Sequence, residues 1–138
     1  MEYILNICYE EVSHTADWSV KVWAVNLPEL FSECMKAMLH MMKAEYLPGQ
    51  SIGQIIDLQA LDAESLLVAF LNEILFLIET RGLVPVKNDI SISENTLHGV
   101  FQCMSLQSMK KEIKAVTFHN LKIEQKGKFL EVVLVFDV

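Results

Sequence analysis

Residues 62–82, DAESLLVAFLNEILFLIETRG, restrict what this chain can fold into more than any other stretch. Asp62 has the short acceptor side chain of a helix N-cap, and Glu64 follows in the first turn. Gly82, directly after Arg81, suits the left-handed residue that closes a helix. Between these signals Leu66, Leu67, Phe70, Leu71, Ile74, Leu75, Leu77 and Ile78 cover most of the circumference, while Ser65, Asn72, Glu73, Glu79 and Thr80 form one narrow polar strip. A helix this apolar must be covered on most of its sides by the rest of the chain. The run 66–78 is broken by Asn72-Glu73 and is shorter than the roughly 20 residues that cross a bilayer, so it reads as a core helix and no membrane span is expected.

A second helix is predicted from Asn26, an N-cap with Pro28 in the first turn and Glu29 at the capping-box position, to about Lys43. Leu27, Leu30, Phe31, Cys34, Met35, Met38, Met41 and Met42 recur at three- and four-residue spacing and form one core-facing stripe. The methionines could instead line a plastic partner-binding groove, but they share their stripe with Leu and Phe, which favours core packing.

The remaining segments have β character. YILNICYEEV (3–12) and WSVKVWAV (18–25) are aromatic and β-branched, and SHTAD (13–17) joins them. Residues 46–53, containing Pro48-Gly49, read as a loop, and 55–61 as a strand. LVPV and DISIS follow the second helix, a Glu94-Asn95 turn leads to TLHGVFQCMSL, and IKAVTFHNLKI and FLEVVLVFDV close the chain about Lys126-Gly127. Strands, helix, strand, helix and then consecutive strands on short turns predict an α+β fold: a largely antiparallel or mixed sheet with two apolar helices packed on one face. The 138 residues fit one domain over 1–138, and no repeat or linker divides it.

Net charge is −7, which repels phosphate backbones, so direct tight nucleic-acid binding is not expected. Lys110, Lys111 and Lys114 form a small basic cluster that reads as a solvated loop or an interaction point. Cys8, Cys34 and Cys103 are odd in number and lack CxxC spacing, which argues against a disulfide framework or a zinc ribbon. With Met1-Glu2-Tyr3 showing no signal-peptide pattern, a cytoplasmic location is the expectation.

The sequence contains no G-x-S-x-G, P-loop, GxGxxG or H-E-x-x-H pattern. His40, late in the Met-rich helix, and His98, beside a glycine in a strand, read as structural; His14 and His119 sit in stretches dense with polar groups. Ser13, Thr15 and Asp17 are ordinary turn residues, so SHTAD alone fits a satisfied turn as well as a site. At the other end, the apolar strand VVLVF stops at Asp137, followed by the α-carboxylate of Val138. Two negative groups there must be relieved by a cation, a basic partner residue or open solvent.

SHTADWSVKVWAVNLPELFSECMKAM, LLVAFLNEILFLIET, KAVTFHNLKI and the terminal VLVFDV together resemble the archease family. That family carries D-H-T-A-D, an L-L-x-x-F-L-x-E-x-L helix, a V-K-A-v-T-y-H strand and a D-I or D-V end. The resemblance runs in order along nearly the whole chain. It implies a non-enzymatic accessory protein that activates an RtcB-type RNA ligase in tRNA splicing and RNA repair, by promoting guanylylation of the ligase and its repeated turnover.

The resemblance also maps the family's metal ligands onto Asp17, Asp137 and the terminal carboxylate of Val138. Three converging carboxylates would be costly without a cation, and an all-oxygen set suits calcium, with magnesium or manganese as alternatives, better than zinc. His14 would either orient Asp17 or tie down the turn, and Lys114 and His119 are candidates for the surrounding or partner surface. The sequence departs from the family at Ser13, where the first acid of D-H-T-A-D would stand, and at Gln107-Ser108-Met109-Lys110, in place of His-Pro-x-Gly. Two other functional classes stay open: a general chaperone or scaffold acting through the Met-rich helix, and a small metal-dependent hydrolase using Asp17 and His14.

Overall fold

The computed structural model describes residues 8–11 and 18–138. Strand β1 (Tyr9–Glu11) and strand β2 (Trp18–Ala24) lead into helix α1 (Leu27–Met42), followed by β3 (Glu45–Tyr46) and β4 (Ile52–Gln59). Helix α2 (Ala63–Arg81) comes next, then β5 (Leu83–Ser93), β6 (Thr96–Ser108), β7 (Ala115–Val116), β8 (Glu124–Lys126) and β9 (Phe129–Asp137). The rest of the strand expected over 3–12, and the whole SHTAD turn, lie outside the described residues.

Both helices begin and end where their local chemistry dictates. The Asn26 side chain accepts from the N–H of Glu29 at 2.9 Å, and Asp62 accepts from that of Ser65 at 2.7 Å. The Asp62 carboxyl is held below its ordinary range by that backbone hydrogen bond. Gly82 takes the left-handed conformation and donates its N–H to Ile78, as a C-terminal glycine should. Helix α1 ends on a left-handed Lys43, and its last carbonyls are satisfied from several directions: Leu39 by Ala44, His40 by Lys43, and Met42 by both Lys110 and Lys111.

The α+β class and antiparallel pairing are as expected, but the strands divide into two sheets rather than one. In the first, the order is β1-β2-β9, and β7 and β8 pair with β9. In the second, β6 is central, with β3, β4 and β5 all hydrogen-bonded to it. Each helix packs against strands of both sheets. The division follows from pairing across long sequence separations, which single-strand patterns do not encode.

At the centre, three phenylalanines from three elements meet. Phe31 of α1 lies 5.7 Å from Phe70 of α2, which stacks on Phe101 of β6 at 5.9 Å. All three are fully buried. Gly99, two residues before Phe101 on the same face, leaves the space that this ring occupies: a Cβ there would lie 2.5 Å from its Cε1. Met35, Met38, Met41 and Met42 are buried, as the stripe on α1 predicts. Cys34 is buried among them, and loss of water pushes its thiol well above the usual range.

Three local departures from expectation have structural causes. LVPV and DISIS form one strand, β5, whose register with β6 shifts between Pro85 and Lys87. The loop expected over 46–53 is shorter, because Tyr46 pairs with β6 and β4 starts at Ile52. The strand expected over IKAVTFHNLKI shrinks to Ala115–Val116: after Thr117 donates to Val135, the chain leaves β9 and turns at a left-handed Asn120. It is held there by Leu121, which is buried and donates its N–H to Phe118. It rejoins β9 only at Glu124, and Glu64 of α2 accepts the N–H of Ile123 on the way.

Candidate functional site

The end of β9 is held from both sides. On one side Trp18 is in register with Phe136, and their rings meet edge to face at 6.2 Å. On the other, Ala115 pairs with Asp137 and Val116 with Phe136, while the N–H of Lys114 donates to the Asp137 carbonyl at 2.7 Å. Strand β7 is in turn fastened to α2 by the Asn72 side chain, which accepts from the Val116 N–H at 2.9 Å and donates to its carbonyl at 3.5 Å. The final residues of an apolar strand are thereby fixed at the rim of the sheet instead of fraying.

Beside these supports lies an open pocket of about 560 Å³. Asp137, Val138 and His119, three residues singled out in the sequence, line it together with Trp18, Thr117 and Asn120. Asp137, His119 and Asn120 are exposed, and Val138 is 44% exposed, so the polar groups face solvent. The turn at Asn120 presents His119 and Asn120 to the same space as the chain end. Trp18 is fixed by three contacts: the Phe136 ring, a 3.1 Å hydrogen bond from its Nε1 to Glu11, and the Lys111 ammonium 5.6 Å above its ring.

The remaining candidates are placed differently. Asp17 and His14 lie outside the described residues. Lys114 is exposed and contributes its backbone, which ties the chain end to β7. The Lys110–Lys111 cluster has exposed side chains, as a solvated loop would, but its backbone is docked on α1 through the Met42 carbonyl. Trp18, Thr117 and Asn120 escaped sequence reasoning, although each sits within two positions of a residue that was singled out. Asn72 reads as part of a polar strip, and only the fold reveals its backbone partner.

Chemically, the pocket offers the carboxylate of Asp137 and the backbone of Val138 beside an imidazole, a hydroxyl and an amide. Among the described residues no three His, Cys, Asp or Glu side chains gather closely enough to hold a metal ion by themselves. The donor set is nonetheless rich in hard oxygen, which fits a calcium-like cation if one further carboxylate joins it. No helix among the described residues is long and apolar enough to cross a membrane.

Comparison with known proteins agrees with this fold. The model of the Archease protein family matches residues 9–138. The chain belongs to the archease family. It is 31% identical to an archease-like protein of Drosophila melanogaster over 94% of this chain and 90% of that one. It is 28% identical to the archease of Pyrococcus furiosus, over 85% of this chain and 88% of the other. Among solved structures, the crystal structure of an archease and possible chaperone from Thermotoga maritima superposes with a TM-score of 0.70 at 24% identity, covering 94% of this chain and 96% of that one. A Methanobacterium thermoautotrophicum protein studied in solution superposes at 0.69 with 25% identity, covering 94% and 98% of the two chains.

Proposed function

We propose that this archease is a metal-dependent activator of an RtcB-type RNA ligase, raising the rate at which the ligase is guanylylated and turns over in tRNA splicing and RNA repair. The observation that supports the reading is the pocket at the end of β9, where Asp137, Val138 and His119 meet beside Trp18. Trp18 directly follows Asp17 in the chain, so the third proposed carboxylate enters the sequence one residue from a pocket wall.

In this reading Asp137, the terminal carboxylate of Val138 and Asp17 hold a divalent cation, calcium first, with magnesium or manganese as alternatives. The bound ion would neutralise the clustered negative charge and offer a positive centre to acidic or carbonyl groups of the ligase. His119 and Thr117 line the approach, and the Asn72–Val116 pair and Lys114 backbone keep the chain end in place. His14 orients Asp17 or ties down its turn. The protein supplies no nucleophile of its own in this scheme and acts in the cytoplasm as an accessory.

The general-chaperone alternative is weakened in one respect. The methionines that would have formed an adaptable groove are buried in the core, so α1 offers no Met-rich surface to clients. The hydrolase alternative would require phosphoester cleavage by the isolated protein.

The deciding experiment measures covalent GMP transfer to the cognate ligase with and without this protein at substoichiometric amounts. Faster guanylylation and multiple turnover are expected. Unchanged ligase turnover would overturn the reading, and the isolated protein should show negligible tRNA affinity at physiological salt.

A further inference from the structure

A second pocket, of about 540 Å³, lies at the C-terminal end of α1, between that helix, β3 and the start of β5. Its charge is opposite to that of the chain. The whole protein has 11 Lys and Arg against 18 Asp and Glu, yet Lys36, Lys43 and Lys110 line this space with His40, and the sole acid among its lining residues is Glu45. Glu45 accepts a hydrogen bond from the Ser108 hydroxyl at 3.3 Å, and Lys36 is paired with Glu33 at 3.2 Å. Lys43 and Lys110 make no ion pair among the described residues. His40 is steadied by the Tyr9 ring, 5.7 Å away.

Half-buried Leu39 and exposed Val86 give the pocket an apolar component, backed by buried Val84 and Pro85. Tyr46, which also lines it, is 48% exposed, and Leu47, next along the chain, is 45% exposed. Cations around an apolar space, with an exposed aromatic ring at one side, form the usual complement of an acidic segment that carries a hydrophobic anchor.

The backbone separates this chemistry from phosphate binding. A phosphate cradle needs free N–H groups, as at a helix N-terminus. Here the helix presents its C-terminus, and the N–H groups of Lys43, Ala44, Lys110 and Lys111 are all spent on its last carbonyls. That capping also quiets the negative end of the helix, which would otherwise oppose an anionic ligand. What remains to meet a negative charge is side chains, the lysines foremost, and they do so as mobile point charges suited to carboxylates spread along a chain.

We infer that this pocket docks an acidic polypeptide segment of a protein partner, with Lys43 and Lys110 meeting its carboxylates and Tyr46 with Leu39 and Val86 receiving an apolar anchor residue. A second copy of this chain is a poorer occupant, because two molecules of charge −7 repel. The pocket is separate from the one at the end of β9, but residues 109–114 connect the two: Lys110 lines the first, Lys111 covers Trp18 of the second, and the Lys114 N–H holds Asp137.

The test uses the full chain and three fluorescein-labelled probes in anisotropy titrations at low and physiological salt. They are a nonapeptide of alternating Asp and Glu with central Phe-Leu, the same peptide with Lys for each acid, and a twelve-nucleotide oligouridine. The acidic peptide should bind, and Lys43→Glu with Lys110→Glu should weaken it by about tenfold or more. Lys122→Glu with Lys128→Glu, an equal charge change next to the β8–β9 hairpin, should cost less than about twofold. Thermal melts of both double variants establish that each is folded. Failure of the acidic peptide to bind, equal loss in the two double variants, or tighter binding of the oligouridine would each overturn the inference. So would self-association of the free protein that Lys43→Glu abolishes, since the pocket would then belong to a second copy.

Discussion

The side chain of Asn72, in the middle of a nearly all-apolar helix, forms both hydrogen bonds that a neighbouring strand would have made to Val116. The amide substitutes for a piece of sheet, joining α2 to the two-residue strand that borders the chain end. Without it, the Val116 N–H and carbonyl would face a partly buried space with no partner.

Asn72→Ala should therefore destabilise the protein by about 1–3 kcal/mol, the range for leaving a buried polar group unsatisfied. Asn72→Asp retains an acceptor for the N–H but loses the donor and turns a carboxylate oxygen toward the Val116 carbonyl, so it should also destabilise, and the more so as pH rises through the carboxyl's titration. Urea denaturation with an unchanged m-value would measure both. A loss below about 0.5 kcal/mol for Asn72→Ala would show that the pair adds nothing net.

Gly99→Ala tests the close approach of β6 to its own phenylalanine. The new methyl would lie 2.5 Å and 2.8 Å from two carbons of the Phe101 ring, which is fully buried and stacked on Phe70. Overpacking of this kind costs about 1–3 kcal/mol. Combining it with Phe101→Leu should be less damaging than the sum of the two changes, which a double-mutant cycle on thermal or urea unfolding would reveal.

Acid stability should depend on Asp62. Its carboxyl is held below the ordinary range by the Ser65 N–H, so its contribution is complete above the unfolded value of about 3.9 and disappears as pH falls through the lower folded value. Asp62→Asn keeps an N-cap acceptor that does not titrate. Comparing the two proteins between neutral pH and about pH 2 should show the wild type losing more stability below about pH 4. Parallel curves would deny Asp62 this role.

The proposed cation site makes a prediction about the chain end. Adding one alanine after Val138 replaces a charged oxygen donor by a neutral carbonyl and brings extra atoms into the pocket. Calcium and manganese affinity should fall by about tenfold or more, with Asp137→Asn producing a similar loss. Calorimetric titration is the measurement. A protein extended by one residue that binds as tightly as the native chain would show that Val138 is no ligand.

Features with local causes were legible in the sequence. Asn26, Asp62 and Gly82 mark the helix ends because capping involves residues only a few positions apart. Glu94 and Asn95 both take positive φ in the β5–β6 turn for an equally local reason. The division into two sheets was not legible, since it depends on pairing β2 with β9 and isolating β6 among β3, β4 and β5. The short β7 also escaped notice: Thr117 to Ile123 has strand composition, but the burial of Leu121 and the Asn120 turn lead it away from β9. At the β9 pocket, Asp137, Val138 and His119 were readable as chemistry-bearing residues. Their meeting with Trp18, Thr117 and Asn120 required the register of both neighbours of β9.

The β2–β9 pairing has a consequence for the order in which the molecule can assemble. The β5–β6 hairpin joins neighbours in sequence, so it can close quickly and support the second sheet early. Strand β2 has to wait for residues about 110 positions later, and loop closure over such a span is slow. Until β9 arrives, the edge of β2 that it covers is unpaired, and an unpaired apolar edge is open to misassociation. Variants that slow the arrival of β9, including those at its end that disturb the pocket, should therefore show reduced yield in cells before any change appears in the stability of the folded protein.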